Sequence, residues 1–400
     1  MKLENWLDSL KYDLEPTLDE AIVHLGDLFP LLREFKNTIQ DPIWHAEGDV
    51  HIHTDMVLDE LYKVFRNKEF EPDPNQRQIL ILAAILHDIA KPLVTKEVDG
   101  RIKASRHEVV GRDYLVYRLL ELELPFSSYK QIINLVGYHQ RPKLLVIKNE
   151  PDYKYYALST YFDPTLMYWL EIADLRGRTC DDKEETIMYL DEYLSKTKEI
   201  LDTHKLESSV TRFGTHKEYR WSKYLLATGQ VNSVTEVPQK IFERNTDEHS
   251  FTFTLLCGVP GVGKSTFIKK YLSGSEIISM DEIRAELGDR RDQSKNKKVA
   301  LIAKERLKEA LRKKKNVLWD ATSIRKEHRE QLLSLAEAYG AYTSLFVLLD
   351  KEKNIRAKNK DREFAVPDEV ITRMIENFQY PSPDEAVQVL YINMGTIDDE

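Results

Sequence analysis

Apolar residues fill whole helical turns in the first half of the chain. Past residue 250 they give way to short runs separated by amphipathic stretches. Ile79-Leu80-Ile81-Leu82-Ala83-Ala84-Ile85-Leu86 and Ile132-Ile133-Asn134-Leu135-Val136 are apolar on nearly every side, and their length and composition predict buried helices rather than strands. Residues 1–205 therefore read as an all-α domain. Between Ala227 and Ser250 the pattern fades, which makes 206–250 a connector, with 206–226 assignable to either side. From 251 onward the rhythm changes. Short runs at 251–256, 276–278, 316–319 and 343–349 predict strands, with helices between them. Strands alternating with helices predict an α/β domain over 251–400, with a parallel sheet covered on both faces.

Composition changes this picture little. A length of 400 residues, 42% hydrophobic and 31% charged, suits two or three ordinary globular domains. No run approaches the roughly 20 apolar residues of a membrane span, and Glu4 comes too early for a signal peptide. Cys180 and Cys257 are the only cysteines, which excludes a disulfide framework or a cysteine zinc site and leads us to expect a cytoplasmic protein with no membrane partner. The net charge of -9 argues against a protein that coats nucleic acid. The acidic excess lies before residue 251. The C-terminal part is close to neutral, with basic concentrations at 295–315 and 351–362. Solvated helix faces account for the first of these.

The candidate chemistry is of two kinds. Gly258-Val259-Pro260-Gly261-Val262-Gly263-Lys264-Ser265-Thr266 fits G-x-x-x-x-G-K-[ST] between a predicted strand and a predicted helix. Glycines let backbone N–H groups converge on phosphates, Lys264 reaches the β- and γ-phosphates, and Ser265 binds Mg²⁺. The donor is ATP or another NTP. Asp281, in Ser279-Met280-Asp281-Glu282-Ile283-Arg284, is placed to take a proton from an attacking hydroxyl, and Arg284 to hold an acceptor phosphate. An N-cap Asp with a surface Arg is the plainer reading of the same pair. Asp320 closes the strand that ends in Trp319, and Lys358-Asn359-Lys360-Asp361-Arg362 supplies basic side chains for a lid.

This set resembles the 5′-hydroxyl polynucleotide kinases. The resemblance implies that Asp281 is the general base, Arg284 contacts the acceptor-strand phosphate, Asp320 lines the acceptor site and Arg362 clamps the donor phosphates. Lys358 stands where an Arg is common, and keeps the charge without the bidentate fork.

The N-terminal part carries the second chemistry. His87-Asp88 ends the apolar helix that begins near Ile79, and an imidazole beside a carboxylate at a buried helix end needs compensation, which a metal ion supplies. His53, near the start of another helix, and Asp174, after Ala173 at the end of an apolar run, complete the order His … His-Asp … Asp. Imidazole with carboxylate favours a divalent transition metal such as Mn, Co, Ni or Fe. His107 and His139 fall between these blocks as ligands of a second metal, as phosphate contacts or as non-ligands. Lys91, one turn beyond Asp88, is placed to hold a phosphate oxygen. His24, His45, His51, His204, His216, His249 and His328 read as exposed or packing residues.

The arrangement resembles the HD phosphohydrolase superfamily. His53-Thr54-x-x-Val57-Leu58, His87-Asp88-x-x-Lys91, His107-Glu108-x-x-Gly111 and Ala173-Asp174-x-Arg176-Gly177-Arg178 are similar to the HD domain attached to some CCA-adding tRNA enzymes, which acts on 2′,3′-cyclic phosphates and 2′-phosphates. Ile89-Ala90-Lys91 departs from the acidic residues that typically follow the pair in (p)ppGpp hydrolases. Over nearly its whole length the chain resembles the bacterial two-domain HD-Pnk end-healing enzymes. That resemblance implies phosphorylation of 5′-hydroxyl ends and hydrolysis of 2′,3′-cyclic phosphate or 2′-phosphate ends. The implied partners are RNA or DNA ends and a nucleic-acid ligase in the same pathway. The rival readings are a small-molecule or nucleoside kinase fused to an HD nucleotidase, a regulatory protein whose ATP site controls the HD site, and a binding module with decayed sites.

Overall fold

The computed structural model describes residues 1–204, 216–243, 251–288 and 293–396, so His249 lies outside the described residues, as does much of the stretch read as a connector. The chain divides into two compact units, Met1–Lys205 and Leu206–Glu400.

The first unit is built around the helix Pro74–Leu86. Asp73 and Gln76 form a capping box, Pro74 occupies its first turn, and every residue from Arg77 to Leu86 is buried. Such a helix needs neighbours on all sides. It has them in the helices Val50–Arg66, Phe126–Tyr138 and Pro164–Arg176. Asp49 caps Val50–Arg66 by accepting from Ile52 N at 2.9 Å, which sets the turn that carries His53. Helix Pro164–Arg176 ends at Gly177, where a Cβ would lie 2.8 Å from Val57 N. The two helices thus approach more closely there than any side chain permits. A small antiparallel hairpin, β1 (Lys96–Val98) and β2 (Arg101–Lys103), turns through Asp99 and Gly100, both at positive φ.

The second unit carries a five-stranded sheet, all parallel, in the order β4 (Glu276–Ser279), β5 (Val317–Asp320), β3 (Thr252–Cys257), β6 (Tyr342–Leu349) and β7 (Gln388–Asn393). The chain runs from β3 to one side of the sheet and then crosses to the other side at β6. The carboxyl end of β3 is therefore the switch point where open α/β sheets bind ligands. In the stretch read as a connector, residues 216–243 contain the helices His216–Ala227 and Val237–Glu243. Trp221 is buried edge-on against Tyr342, and Tyr224 Oη donates to Glu337 at 2.9 Å. Among the described residues no helix is long and apolar enough to cross a membrane.

Candidate metal centre and phosphate site

Five helices of the first unit, Val50–Arg66, Pro74–Leu86, His107–Arg118, Phe126–Tyr138 and Pro164–Arg176, bring their ends to one region. His53 Nε2 lies 3.0 Å from Asp174 Oδ1, 3.4 Å from His87 Nε2 and 3.7 Å from Asp88 Oδ2, and His87 Nε2 lies 3.2 Å from Asp88 Oδ2. The other Asp88 oxygen faces a second pair. His107 Nε2 is 3.2 Å from Oδ1 and 3.2 Å from His139 Nε2. Asp88 thus joins two clusters, His53–His87–Asp88 and Asp88–His107–His139, each compact enough for one ion, and Asp174 Oδ1 lies 3.0 Å from His53 Nε2 and 3.9 Å from His87 Nε2.

The protons decide whether a cation fits. His87, His107 and His139 each donate Nδ1–H to the carbonyl three residues back (Ala84, Ala104 and Val136), every bond 2.8 Å long. Their Nε2 atoms are then acceptors. In the neutral tautomers, His107 and His139 bring lone pair against lone pair at 3.2 Å. A divalent cation turns that repulsion into ligation, and locking the far nitrogen is how ligating histidines are oriented. The residues fit a metal.

Electrostatics follow from burial and neighbours. Burial alone would raise the Asp88 carboxyl, but His87 and Lys91 hold it well below the usual carboxylate range. The same contest at Asp174 is won by Arg178, whose guanidinium pairs with both carboxylate oxygens, with His53 next. Burial also disfavours charge on His87, yet Asp88 and Asp174 outweigh it and raise its pKa. His139 is pushed well down by burial, with His107 and His87 adding to it, and stays neutral. Glu171, one turn before Asp174, is pushed up to about 7 by burial against the pull of Lys143. Lys91 Nζ sits 2.6 Å from Asp88 Oδ2 and also donates to Gln40. A pocket of about 220 Å³ opens over the cluster, lined on its polar side by Gln40, Lys91, His107, Gln140 and Arg178.

Two residues of this centre escaped the sequence reading. Glu47 Oε1 is 3.0 Å from His53 Nδ1 and 2.8 Å from His45 Nδ1, and its other oxygen accepts from Thr179 N. Burial raises its pKa, but the bonds from His45 and His53 reverse the sign and lower it strongly. His45, read as exposed or merely packing, lines the pocket and meets the His53 ring edge-on. Burial holds it neutral, pushed down to about 4. Neither residue sits on a helix or in a spaced motif, so no local pattern signals them.

In the second unit, β3 runs into the glycine-rich loop and then the helix Lys264–Tyr271. Each glycine has its own reason. A Cβ on Gly258 would lie 2.9 Å from Leu348 O, and one on Gly261, at φ +86°, would collide with Ile355 O. Gly263 caps the helix at φ +105°. Pro260 is buried, while Ser265 and Thr266 are exposed at the helix N-terminus. Lys264 Nζ donates to Gly258 O at 2.9 Å and Val259 O at 3.1 Å. Burial lowers its pKa, Asp320 pulls it back, Arg362 lowers it again and Asp281 raises it, and the balance settles at about 8. Asp320, Arg362 and Asp281 therefore all act electrostatically on Lys264.

Asp320 and Ser279 are register partners at the carboxyl ends of β5 and β4. Asp281 Oδ1 is 2.6 Å from Arg284 Nη1, and the buried Arg284 also donates to Asn296 at 3.1 Å. Lys358 Nζ is engaged by the fully buried Asp350, 2.7 Å away. Arg362 is exposed on a short loop whose base is pinned by Asn359. That side chain donates to Val366 O at 2.8 Å, accepts from Val366 N at 3.0 Å, and stands against Gly261.

An α-helical unit with a His/Asp cage, joined to a parallel α/β unit with a P-loop at its switch point, defines a phosphorus-handling protein of two chemistries. The family models agree: the HD domain matches residues 51–182 and the AAA domain residues 253–381. The chain is an HD phosphohydrolase domain fused to a P-loop kinase-like AAA domain, which supports an enzyme with hydrolase and kinase activity. No curated protein matches it.

Proposed function

We propose that this protein heals broken nucleic-acid ends, phosphorylating 5′-hydroxyl termini with ATP and hydrolysing 2′,3′-cyclic phosphate or 2′-phosphate termini. The observation that carries the reading is the pairing of chemistries. A cage of imidazoles and carboxylates beside Lys91 suits phosphoester hydrolysis, and a P-loop lysine electrostatically linked to Asp281, Asp320 and Arg362 suits phosphoryl transfer. Breakage that leaves a cyclic phosphate and a 5′-hydroxyl presents one substrate for each.

At the HD site His53, His87, Asp88 and Asp174 would hold one divalent transition metal such as Mn, Ni or Co, and Asp88 with His107 and His139 a second. Such a cation acts as a Lewis acid on phosphoryl oxygens and lowers the pKa of bound water. Asp174 is kept ionised by Arg178. Lys91 is positioned to exchange its Asp88 contact for a phosphate oxygen. At the kinase site Asp281 accepts the proton of the 5′-hydroxyl once an acceptor phosphate draws Arg284 away from it. Lys264 and Arg362 neutralise the charge that develops during transfer, with Mg²⁺ held near Ser265. Phosphate contacts carry little sequence information, so broad tolerance of sequence, and of RNA against DNA, is expected.

The test supplies ATP, Mg²⁺ or Mn²⁺ and oligonucleotides with a 5′-hydroxyl, alongside free nucleosides. Preference for the oligonucleotide supports end healing. Equal phosphorylation of a nucleoside would support a small-molecule kinase instead.

A further inference from the structure

The loop that runs into the metal-bearing helix Val50–Arg66 is closed at its neck by an antiparallel bridge between Ile39 and Asp49, with Gln40 N donating to Gly48 O at 2.9 Å and Val50 N to Thr38 O at 3.0 Å. Inside that neck nearly every polar group is tied down. Asp41 accepts from Ile43 N at 3.0 Å and from Arg101 of β2 at 2.6 and 3.0 Å, and its carbonyl receives Trp44 N and His45 N. Ala46 N donates to Thr179 O, and Glu47 is fixed by His45 and Thr179. The loop is a pinned compact Ω-loop.

Its apolar side chains nevertheless face solvent. Ile39 is 62% exposed, Ile43 57% and Trp44 48%, three large apolar groups within six residues. A firmly held loop that leaves an indole in water marks a binding surface rather than unfinished packing. Trp44, Ile39 and Ile102 line the same pocket as Lys91, His107 and Arg178. The lining of that pocket thus combines cationic side chains with an indole and two isoleucines.

We propose that Trp44 is the platform on which the base of the terminal nucleotide stacks when its phosphate enters the HD site. This rests on the end-healing reading and adds how the site tells a nucleotide from a bare phosphoester. Aromatic stacking is tolerant of base identity, because every base has a π-face, which suits an enzyme acting on ends of any sequence. The neighbouring residue His45 touches His53, so the loop that presents the indole also braces the cage.

The experiment compares adenosine 2′,3′-cyclic phosphate with the cyclic phosphate of 1-O-methylribose, which has no base, in full-length protein loaded with Mn²⁺. Trp44→Ala should raise KM for the adenosine substrate roughly ten- to a hundredfold at nearly unchanged kcat. It should leave the base-less substrate within about twofold, and Trp44→Phe should restore most of the loss. Equal loss on both substrates would show a merely structural loop and overturn the proposal, as would no loss on either. If the wild-type protein hydrolyses neither compound, the end-healing reading fails at this site, and binding then decides the platform separately. Adenosine 2′-monophosphate should quench tryptophan fluorescence in the wild type but not in Trp44→Phe. Quenching that persists in the variant, or affinity no better than that of ribose 2-phosphate, would sink it.

Discussion

The histidines of the HD unit show how a single proton determines what a residue can do. Because Ala84, Ala104 and Val136 carbonyls take the Nδ1 protons, three Nε2 lone pairs converge on Asp88. The fourth histidine, His53, is oriented by a carboxylate instead, that of Glu47. Glu47→Gln keeps the shape but removes the negative charge behind the ring. Metal affinity, measured by competition with a chelator, should fall about ten- to a hundredfold with the fold intact. Unchanged affinity would mean that Glu47 serves only the loop. Lys264 gives a second prediction at this scale. Its folded pKa of about 8 is depressed by burial, so below pH 8 the free protein already carries the ammonium that a triphosphate needs. Above pH 8 binding must take up a proton, and ATP affinity should fall by up to about tenfold per pH unit. Calorimetry in buffers of different ionisation enthalpy reads that uptake directly, and flat affinity from pH 7 to 9.5 would contradict it.

Elements hold these residues in place, and their contacts are as specific as the ligands. Helix Pro164–Arg176 can bring Asp174 to His53 only because Gly177 has no side chain where it meets the Val57 backbone. Gly177→Ala should destabilise the protein by about 1–3 kcal/mol through forced separation of the two helices, visible as a lower melting temperature together with weaker metal binding. A lower melting temperature with unchanged metal affinity would separate packing from site geometry and refute the coupling. The helix Pro74–Leu86 and the P-loop were legible in sequence because their signals are local: an all-apolar run, and glycines at fixed spacing before Lys264. Strand β7 was overlooked although Val389-Leu390-Tyr391-Ile392 is an apolar run; it is a half-buried strand at the edge of the sheet. The hairpin at Lys96–Lys103 was missed because its strands are three residues long and largely charged, although Asp99-Gly100 is a turn signal. Glu47 owes its role to Thr179, 132 positions away, and no local pattern encodes such a meeting. The apolar pattern fades from Ala227 onward, yet Val231 and Val237 in that stretch are buried.

At the scale of the molecule, the HD cage and the P-loop lie in two separate compact units of one chain. A buried cage of acceptors is costly without its cation, so metal should act as a stabilising ligand. Adding Mn²⁺ at about a hundred times its dissociation constant should stabilise the metal-free protein by about 2.7 kcal/mol, read as a higher melting temperature that Asp88→Ala abolishes. The most direct test of the central claim uses a single oligonucleotide with a 5′-hydroxyl and a 2′,3′-cyclic phosphate, incubated with ATP, Mg²⁺ and Mn²⁺, both ends being assayed in the same reaction. Wild-type protein should convert both termini, Lys264→Ala should lose only 5′ phosphorylation, and Asp88→Ala only hydrolysis at the other terminus. Loss of both activities in each single variant, or conversion of neither end by the wild type, would contradict it.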